Sequence, residues 1–378
     1  MFPKDTLLLD LGSYEIKGMF FDDNLKQTIN VKEKKSGIFN GYVVNVFLFQ
    51  TSVLNLVKRI ESQINKKIVN IVLLLSGKIL EYKTLSVKNL KIQGVIDQFK
   101  IDMISRNIKK WVKNKNGVLI KSFPVKYILD DFTIENPYGL FCDNLSFQYF
   151  ICYAFKSKIN NLIYLLEQLN FNVIDLVPSI LSLGDRYLSE DEKGLGSLVF
   201  DIGHSKMQWC FYYKGAPVKA GNINFGSESI TYKIARSLNL SLEEASRIKH
   251  ESLAAALKPE HFCSWIRIVR DSNEEFILQS EMIRKILPEI TIFINEIKKT
   301  ISLFSNQKIY NVVCFGNASF LSDLIESLQK GTTLKIKTVG KDDIFGVADL
   351  FFKNFKNEKS LNRIIKFLKR VIGYFLDA

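Results

Sequence analysis

Histidine is scarce in this sequence and cysteine is unpaired. Only His204, His250 and His261 could offer imidazole ligands, and no H-E-x-x-H occurs, so histidine-built metal hydrolysis has little to work with. The five cysteines (Cys142, Cys152, Cys210, Cys263, Cys314) are odd in number, scattered and without a C-x-x-C pair. That pattern argues against a disulfide framework or structural zinc and for reduced, buried thiols. No uninterrupted apolar run reaches the roughly 18–20 residues that a bilayer-spanning helix requires. The stretch MFPKDTLLLDLG carries Asp5 and Asp10 where a signal peptide would be apolar, and reads as a buried strand of a cytosolic protein.

What is present is a globular composition: 378 residues, 47% hydrophobic and 24% charged, room for two domains of ordinary size. The formal net charge of +13 suggests an acidic partner. The densest basic stretch carries Lys353, Lys356, Lys359, Arg363, Lys366, Lys369 and Arg370 against Glu358 and Asp377. Within it, SLNRIIKFLKRVIGYFL places Leu361, Ile364, Ile365, Leu368, Ile372 and Phe375 at helical steps, with Ser360 as an N-cap. Phe367 and Val371 widen the apolar side. Arg363, Lys366, Lys369 and Arg370 lie largely off the stripe. Such a helix either docks on its own domain or lies in a membrane interface, its lysines at anionic headgroups. There each cation would add about 1 kcal/mol. The interspersed charges exclude spanning.

An internal repeat supplies the main chemical signal. TLLLDLGSYEIKGMFF (6–21) and SLVFDIGHSKMQWCFY (197–212) share an apolar run, Asp-apolar-Gly, a short polar turn and a second β-prone run. Each reads as a hairpin whose glycine, Gly12 or Gly203, can take positive φ and lets backbone N–H groups approach a phosphate. Asp10 and Asp201, at the strand ends, are candidates to hold Mg²⁺ directly or through water. Paired hairpins facing a cleft are the layout of the actin, Hsp70 and sugar-kinase ATPase fold, in which a nucleoside triphosphate sits between two halves.

Further segments carry a closer resemblance. SGIFNGYVVN (36–45), NIVLLLSGK (70–78), IENPYGL (134–140), LSEDEKGLGSLVFDIG, NFGSESIT with LSLEEASRIKH, and VVCFGNASFL (312–321) occur in order. Together they resemble the family of the bacterial cell-division protein FtsA. The resemblance implies an α/β, actin-like two-lobed fold with an FtsA-type 1C insertion and a carboxy-terminal amphipathic helix. The implied division is 1–80 for the first part of subdomain 1A, 81–158 for 1C and 159–195 for the rest of 1A. Residues 196–226 and 306–352 would form 2A around 2B at 227–305. A linker at 353–359 would lead to the membrane-targeting helix at 360–378. The helical spacing of Ile96, Phe99, Met103, Ile104, Ile108 and Trp111 places a helix within 1C.

Carried over by position, Gly12, Ser13, Tyr14 and Lys17 form the first phosphate loop, and Gly203, His204, Ser205 and Lys206 the second. Gly226 and Ser227 border the ribose and phosphates, Glu244 and Lys249 the nucleoside, and Gly316, Asn317 and Ala318 the adenine side. The family usually has a Gly-Gly-Gly-Thr-like second loop, a second glycine at Ser227, an acid at Ser246 and a glycine at Phe315. These departures imply that ATP with Mg binds weakly and that hydrolysis is slow or absent. Lys206 could partly offset them by offering charge to phosphate.

The implied role is docking the tail of FtsZ, on 2B, to the inner face of the cytoplasmic membrane at the division site. Self-association into filaments, anionic lipid and later division proteins complete the expected partners, with no nucleic acid. The second reading is a pilus-assembly adaptor resembling PilM, which shares the loops and the insertion but binds a short peptide of an inner-membrane partner. A small-molecule kinase of the same superfamily lacks a catalytic-Asp signature here. Outside any ligand role, His250 and His261 read as surface or helix-face residues, and Glu243 with Arg247 as an i,i+4 ion pair.

Overall fold

The two repeated runs fold into two sheets with the same strand order. The computed structural model describes residues 6–21, 27–34, 36–256, 263–270, 273–304, 307–316 and 335–340. In the first sheet β1 (Thr6–Leu11), β2 (Glu15–Phe21) and β3 (Gln27–Lys34) form an antiparallel meander. The chain then passes through the short hairpin β4 (Ile38–Phe39) and β5 (Tyr42–Val43) into helix α1 (Val46–Ile64). It returns as β6 (Asn70–Leu75), parallel to β1, with β11 (Asn172–Pro178) parallel beyond it. The resulting order is β11-β6-β1-β2-β3. In the second sheet β12 (Ser197–Ile202), β13 (Met207–Tyr213) and β14 (Ala216–Ile223) repeat the meander. β17 (Asn311–Gly316) and β18 (Lys335–Gly340) repeat the parallel pair, giving β14-β13-β12-β17-β18.

Alternation along the strands decides which core each side chain joins. On β12, Val199 joins the core of the first sheet, whereas Leu198, Phe200 and Ile202 face a second core. α1 starts where the Asn45 side chain accepts from the Leu48 amide, and it buries Phe49, Val53, Leu56, Val57 and Ile60, an i, i+4, i+7, i+8, i+11 stripe. Tyr212 joins the two halves. Its ring is 1% exposed, its hydroxyl donates to the Leu181 carbonyl at 2.9 Å, and it packs where a Cβ on Gly184 of α4 (Ser179–Tyr187) would come within 2.3 Å of the ring.

Two further units are inserted into this frame. Between β6 and β11, β7 (Leu80–Val95), β8 (Gly117–Leu129), β9 (Phe132–Ile134) and β10 (Phe141–Phe155) form a sheet of order β7-β10-β8-β9. Helix α2 (Gln98–Asn114) lies against it, burying Ile104, Ile108 and Val112. Phe99, expected on that stripe, is instead exposed, with Arg106 over its ring at 5.2 Å. α3 (Lys156–Glu167) leads back to β11, and α5 (Glu190–Leu195) precedes β12. Between β14 and β17 lie α6 (Ser227–Leu238), α7 (Leu242–Ala256), the hairpin β15 (Trp265–Arg270) and β16 (Asn273–Leu278), and α8 (Gln279–Ser302). Among the described residues no helix is long and apolar enough to cross a membrane. The amphipathic run Leu361, Arg363, Ile364, Ile365, Lys366, Phe367, Leu368, Lys369, Arg370, Val371, Ile372 and Phe375 lies outside the described residues.

Candidate functional site: a cationic cleft between paired hairpin turns

The turn after β1 (12–14) and the turn after β12 (203–206) meet. Ser13 Oγ and Ser205 Oγ are 3.0 Å apart, and the rings of Tyr14 and His204 are tilted against each other at 4.9 Å. Behind this contact lies a cleft of about 130 Å³, at the carboxyl ends of parallel strands β1, β6 and β12, where α/β sheets commonly hold ligands. Asp10, Gly12, Ser13, Tyr14, Lys17, Asp201, Gly203, His204, Ser205, Lys206, Ser227 and Lys249 all line it.

Each turn is braced by its own lobe. Ser36 Oγ donates to the Ser13 carbonyl at 3.0 Å, and the Asn40 amide donates to Ser13 Oγ at 3.2 Å. The Asn40 carbonyl in turn accepts from the Lys78 amide at 3.1 Å. Gly37 and Gly41 have φ of +67° and +83°, and a Cβ on either would come within 2.6 Å of backbone. The SGI-x-NG segment is thus a brace under the first turn. In the second turn the Gly203 amide donates to the Lys206 carbonyl at 2.9 Å, and the first amides of α6 cap it: Ser227 to Gly203 at 3.1 Å and Glu228 to His204 at 2.8 Å.

Positive φ is open to Gly12 and Gly203, and neither adopts it. Glycine is required for space instead, because a Cβ on Gly12 would lie 2.6 Å from the Glu15 carbonyl oxygen and one on Gly203 2.9 Å from that of Lys206. Gly226 caps α6 from beneath the second turn. Gly316 ends β17 beside Ile202 and does not line the cleft. Asn317 and Ala318 lie outside the described residues. Glu244 is turned elsewhere: its carboxylate accepts from Arg247 at 2.6 Å and 2.8 Å and from the Val269 amide at 2.8 Å. The Arg247 guanidinium holds it below the usual carboxylate range. That i,i+3 bond takes the place of the expected Glu243–Arg247 pair. The Phe315 side chain leaves the site altogether. It is 1% exposed and packs on Tyr187 at 4.9 Å.

The cleft's charge is unusual. Lys17, Lys206 and Lys249 are 3%, 6% and 1% exposed, although lysine is almost never fully buried unless paired. Lys17 meets Glu15 at 3.3 Å, and Lys249 Nζ donates to the Ser227 carbonyl at 3.3 Å. Lys206 Nζ has no hydrogen-bond partner among the described residues. Burial, then the neighbouring Lys78, pushes Lys206 down to about 7, with Asp201 and Glu81 pulling back. Burial likewise pushes Lys249 down to about 8, against Glu228. Buried ammonium groups without full compensation favour an anion in the cleft.

A directly coordinated divalent ion fits these residues poorly. Asp10 and Asp201 line the cleft, yet no group of three or more His, Cys, Asp or Glu that could hold a metal occurs among the described residues. The Lys206 ammonium lies in the same space.

Sequence reading missed Gly41, Ser76, Ser179, Gln208 and the exposed His250, all on the cleft wall. Gln208 left a trace, being the one amide in the apolar strand MQWCFYY. It is 2% exposed, and its side chain bonds Ser179 Oγ, Tyr82 Oη and Asn222 Oδ1 at 3.2, 3.2 and 3.0 Å. Ser76 and Gly77 followed an apolar strand with no special residue to flag them.

A family model described as Cell division protein FtsA matches residues 198–373. The chain is similar to cell division protein FtsA of Staphylococcus epidermidis, 29% identical over 151 residues, 38% of this chain and 32% of that protein. It is also similar to cell division protein FtsA of Neisseria meningitidis serogroup B, 20% identical over 361 residues, 90% of this chain and 85% of that protein. The chain thus spans about a third of the first relative and most of the second. Among solved structures, the PilM–PilN type IV pilus biogenesis complex superposes with a TM-score of 0.65 at 14% identity, covering 90% of both chains. MreB 5 of Spiroplasma citri bound to AMPPNP does so with 0.57 at 9% identity, covering 95% of this chain and 98% of that one. The fold is therefore that of the actin-like ATPases, and on it the resemblance to the cell-division protein FtsA is shown, with residues 198–373 matching that family.

Proposed function

We propose that this protein is an actin-like division adaptor that docks the tail of FtsZ to the inner face of the cytoplasmic membrane and helps assemble the septal machinery. The observation that carries the reading is the FtsA match, which continues to residue 373 and so into the basic amphipathic run. In this reading 360–378 lies in the membrane interface as a peripheral anchor, held by its apolar stripe and by anionic lipid around its lysines. The unit β7–β10 with α2 corresponds to subdomain 1C and contributes to filament contacts and to later division proteins. The unit from Ser227 to about 305 receives the FtsZ tail. The cleft takes ATP weakly, supported by three buried lysines around two abutting turns.

Co-sedimentation with anionic vesicles tests the anchor. The full chain is expected to pellet and a chain lacking 362–378 to stay in solution; equal pelleting overturns the anchor. A synthetic FtsZ tail peptide is expected to bind with micromolar-type weakness. The second reading, a PilM-like pilus adaptor, draws support from the TM-score of 0.65 over nine-tenths of both chains. Binding of a pilus inner-membrane peptide in place of the FtsZ tail would promote it.

A further inference from the structure

Lys206 is the last residue of the second turn, and its side chain crosses the cleft. Its Nζ lies 2.9 Å from where a Cβ on Gly77 would sit, so an ammonium carried by one lobe reaches the loop after β6 in the other. Gly77 has φ +101° and its absent Cβ would also meet the Asn40 carbonyl oxygen at 2.8 Å. A side chain there would close the space that the ammonium occupies. Lys206 is 6% exposed, lines the cleft and has no hydrogen-bond partner among the described residues. Asp201, one of the two carboxylates at the strand ends, is near enough to act on it electrostatically.

This position bears on the metal. Mg²⁺ requires near-octahedral oxygen ligation and keeps several waters. The cleft lining provides three carboxylates, Asp10, Glu15 and Asp201, which form no metal-holding group among the described residues, Glu15 being paired with Lys17 at 3.3 Å, and it provides an ammonium that repels a second cation, in a cleft of about 130 Å³. An ammonium, by contrast, is a compact point charge with three donors and binds phosphate oxygens well. We propose that Lys206 supplies at this cleft the positive charge that a divalent ion would otherwise supply, so that the cleft takes the polyphosphate of a nucleotide free of metal. The inference rests on the reading of the cleft as a nucleotide site. It gives the lysine in the turn a role: its charge neutralises what the turn would hold. Lys17 and Lys249 stand at the other walls, so the anion would be enclosed by cations from both lobes.

The test is calorimetric titration of the full chain with ATP at neutral pH, in EDTA and in millimolar magnesium. The wild type is expected to bind equally in both, within about threefold. Lys206→Met is expected to lose about tenfold or more in EDTA, as befits deletion of one charged hydrogen bond, and to recover part of that loss when magnesium is added. Lys206→Arg keeps most of the metal-free affinity. Circular dichroism melts serve as the folding control, with Lys206→Met expected to melt no lower than wild type because a buried unpartnered cation is removed. Tight binding only with magnesium, or undiminished metal-free binding by Lys206→Met, overturns the inference while leaving a nucleotide site. ATP bound under neither condition sinks the nucleotide reading and this inference together.

Discussion

The packing of α6 beneath the second turn can be tested by Gly226→Ala. The backbone at Gly226 has φ −140° and ψ −178°, an extended conformation open to any residue, so the cost is purely steric. A Cβ there would lie 2.3 Å from the His204 carbonyl oxygen, 2.4 Å from the Lys206 amide nitrogen and 2.5 Å from the Ser205 carbonyl carbon. All three are backbone atoms, and no rotamer change relieves the clash. Either the turn or the start of α6 must move. Movement strains the bonds from the Ser227 and Glu228 amides to the turn and the contact between Ser13 and Ser205. Overpacking costs about 1–3 kcal/mol, and each weakened hydrogen bond adds roughly 1 kcal/mol. A loss of about 3–5 kcal/mol is therefore expected, which at a urea slope of about 1–3 kcal/mol/M lowers the midpoint by about 1 M at the least. Gly194→Ala is the control. It lies in α5, where an added Cβ meets no atom within 4 Å, and should stabilise by about 0.5–1 kcal/mol. A Gly226→Ala chain within about 0.5 kcal/mol of wild type would refute the packing of turn against helix.

Much of the frame was legible because the duplication is written in two matching apolar runs, TLLLDL and SLVFDI. The runs 6–21 and 197–212 specify hairpins, and the rest of each sheet follows from parallel return strands. Boundaries set by packing were less visible. Phe99 satisfies the helical period of α2 yet stays exposed, with the Arg106 guanidinium over its ring. Phe315 stands where the family usually has a glycine. In the fold it is a strand residue pointing away from the cleft, which periodicity of two would permit but could not assign to a side.

The site was half legible for a related reason. Residues on the two turns follow one another in sequence and were found together. The wall residues come from chain segments far apart: Ser76 after β6, Ser179 at the head of α4 and Gln208 on β13. No local spacing links them, and only the convergence of strand ends does. Of the two freedoms that glycine offers the turns, the fold uses close backbone approach and not left-handed φ. Likewise Glu244 sits on the expected helix, yet Arg247 one turn away and the Val269 amide capture its carboxylate. A side chain with two strong local partners is not free to meet a ribose.

Gln208→Leu should cost about 2 kcal/mol in urea unfolding, because Tyr82 Oη, Asn222 and Ser179 lose a buried partner at once; an unchanged midpoint would mean that these bonds are not formed in solution. Leu368→Glu, outside the described residues, should release the full chain from anionic vesicles as completely as deletion of 362–378, whereas Asn362→Glu should matter less. Vesicle binding that survives Leu368→Glu would remove the apolar stripe from the anchor. A final expectation concerns pH. Lys206 and Lys249 titrate at about 7 and about 8 in the free cleft, below the ordinary lysine value of roughly 10.4. From about 7 upwards the folded chain holds fewer protons at these groups than the unfolded chain, so their contribution to stability rises with pH. An anion between them needs both charged, so ATP binding should take up protons and weaken from pH 7 to pH 9. The two trends therefore run in opposite directions. Calorimetry in two buffers of different ionisation enthalpy measures the uptake directly. ATP affinity that is flat across this range, with no proton uptake, would mean that neither lysine contacts the phosphates.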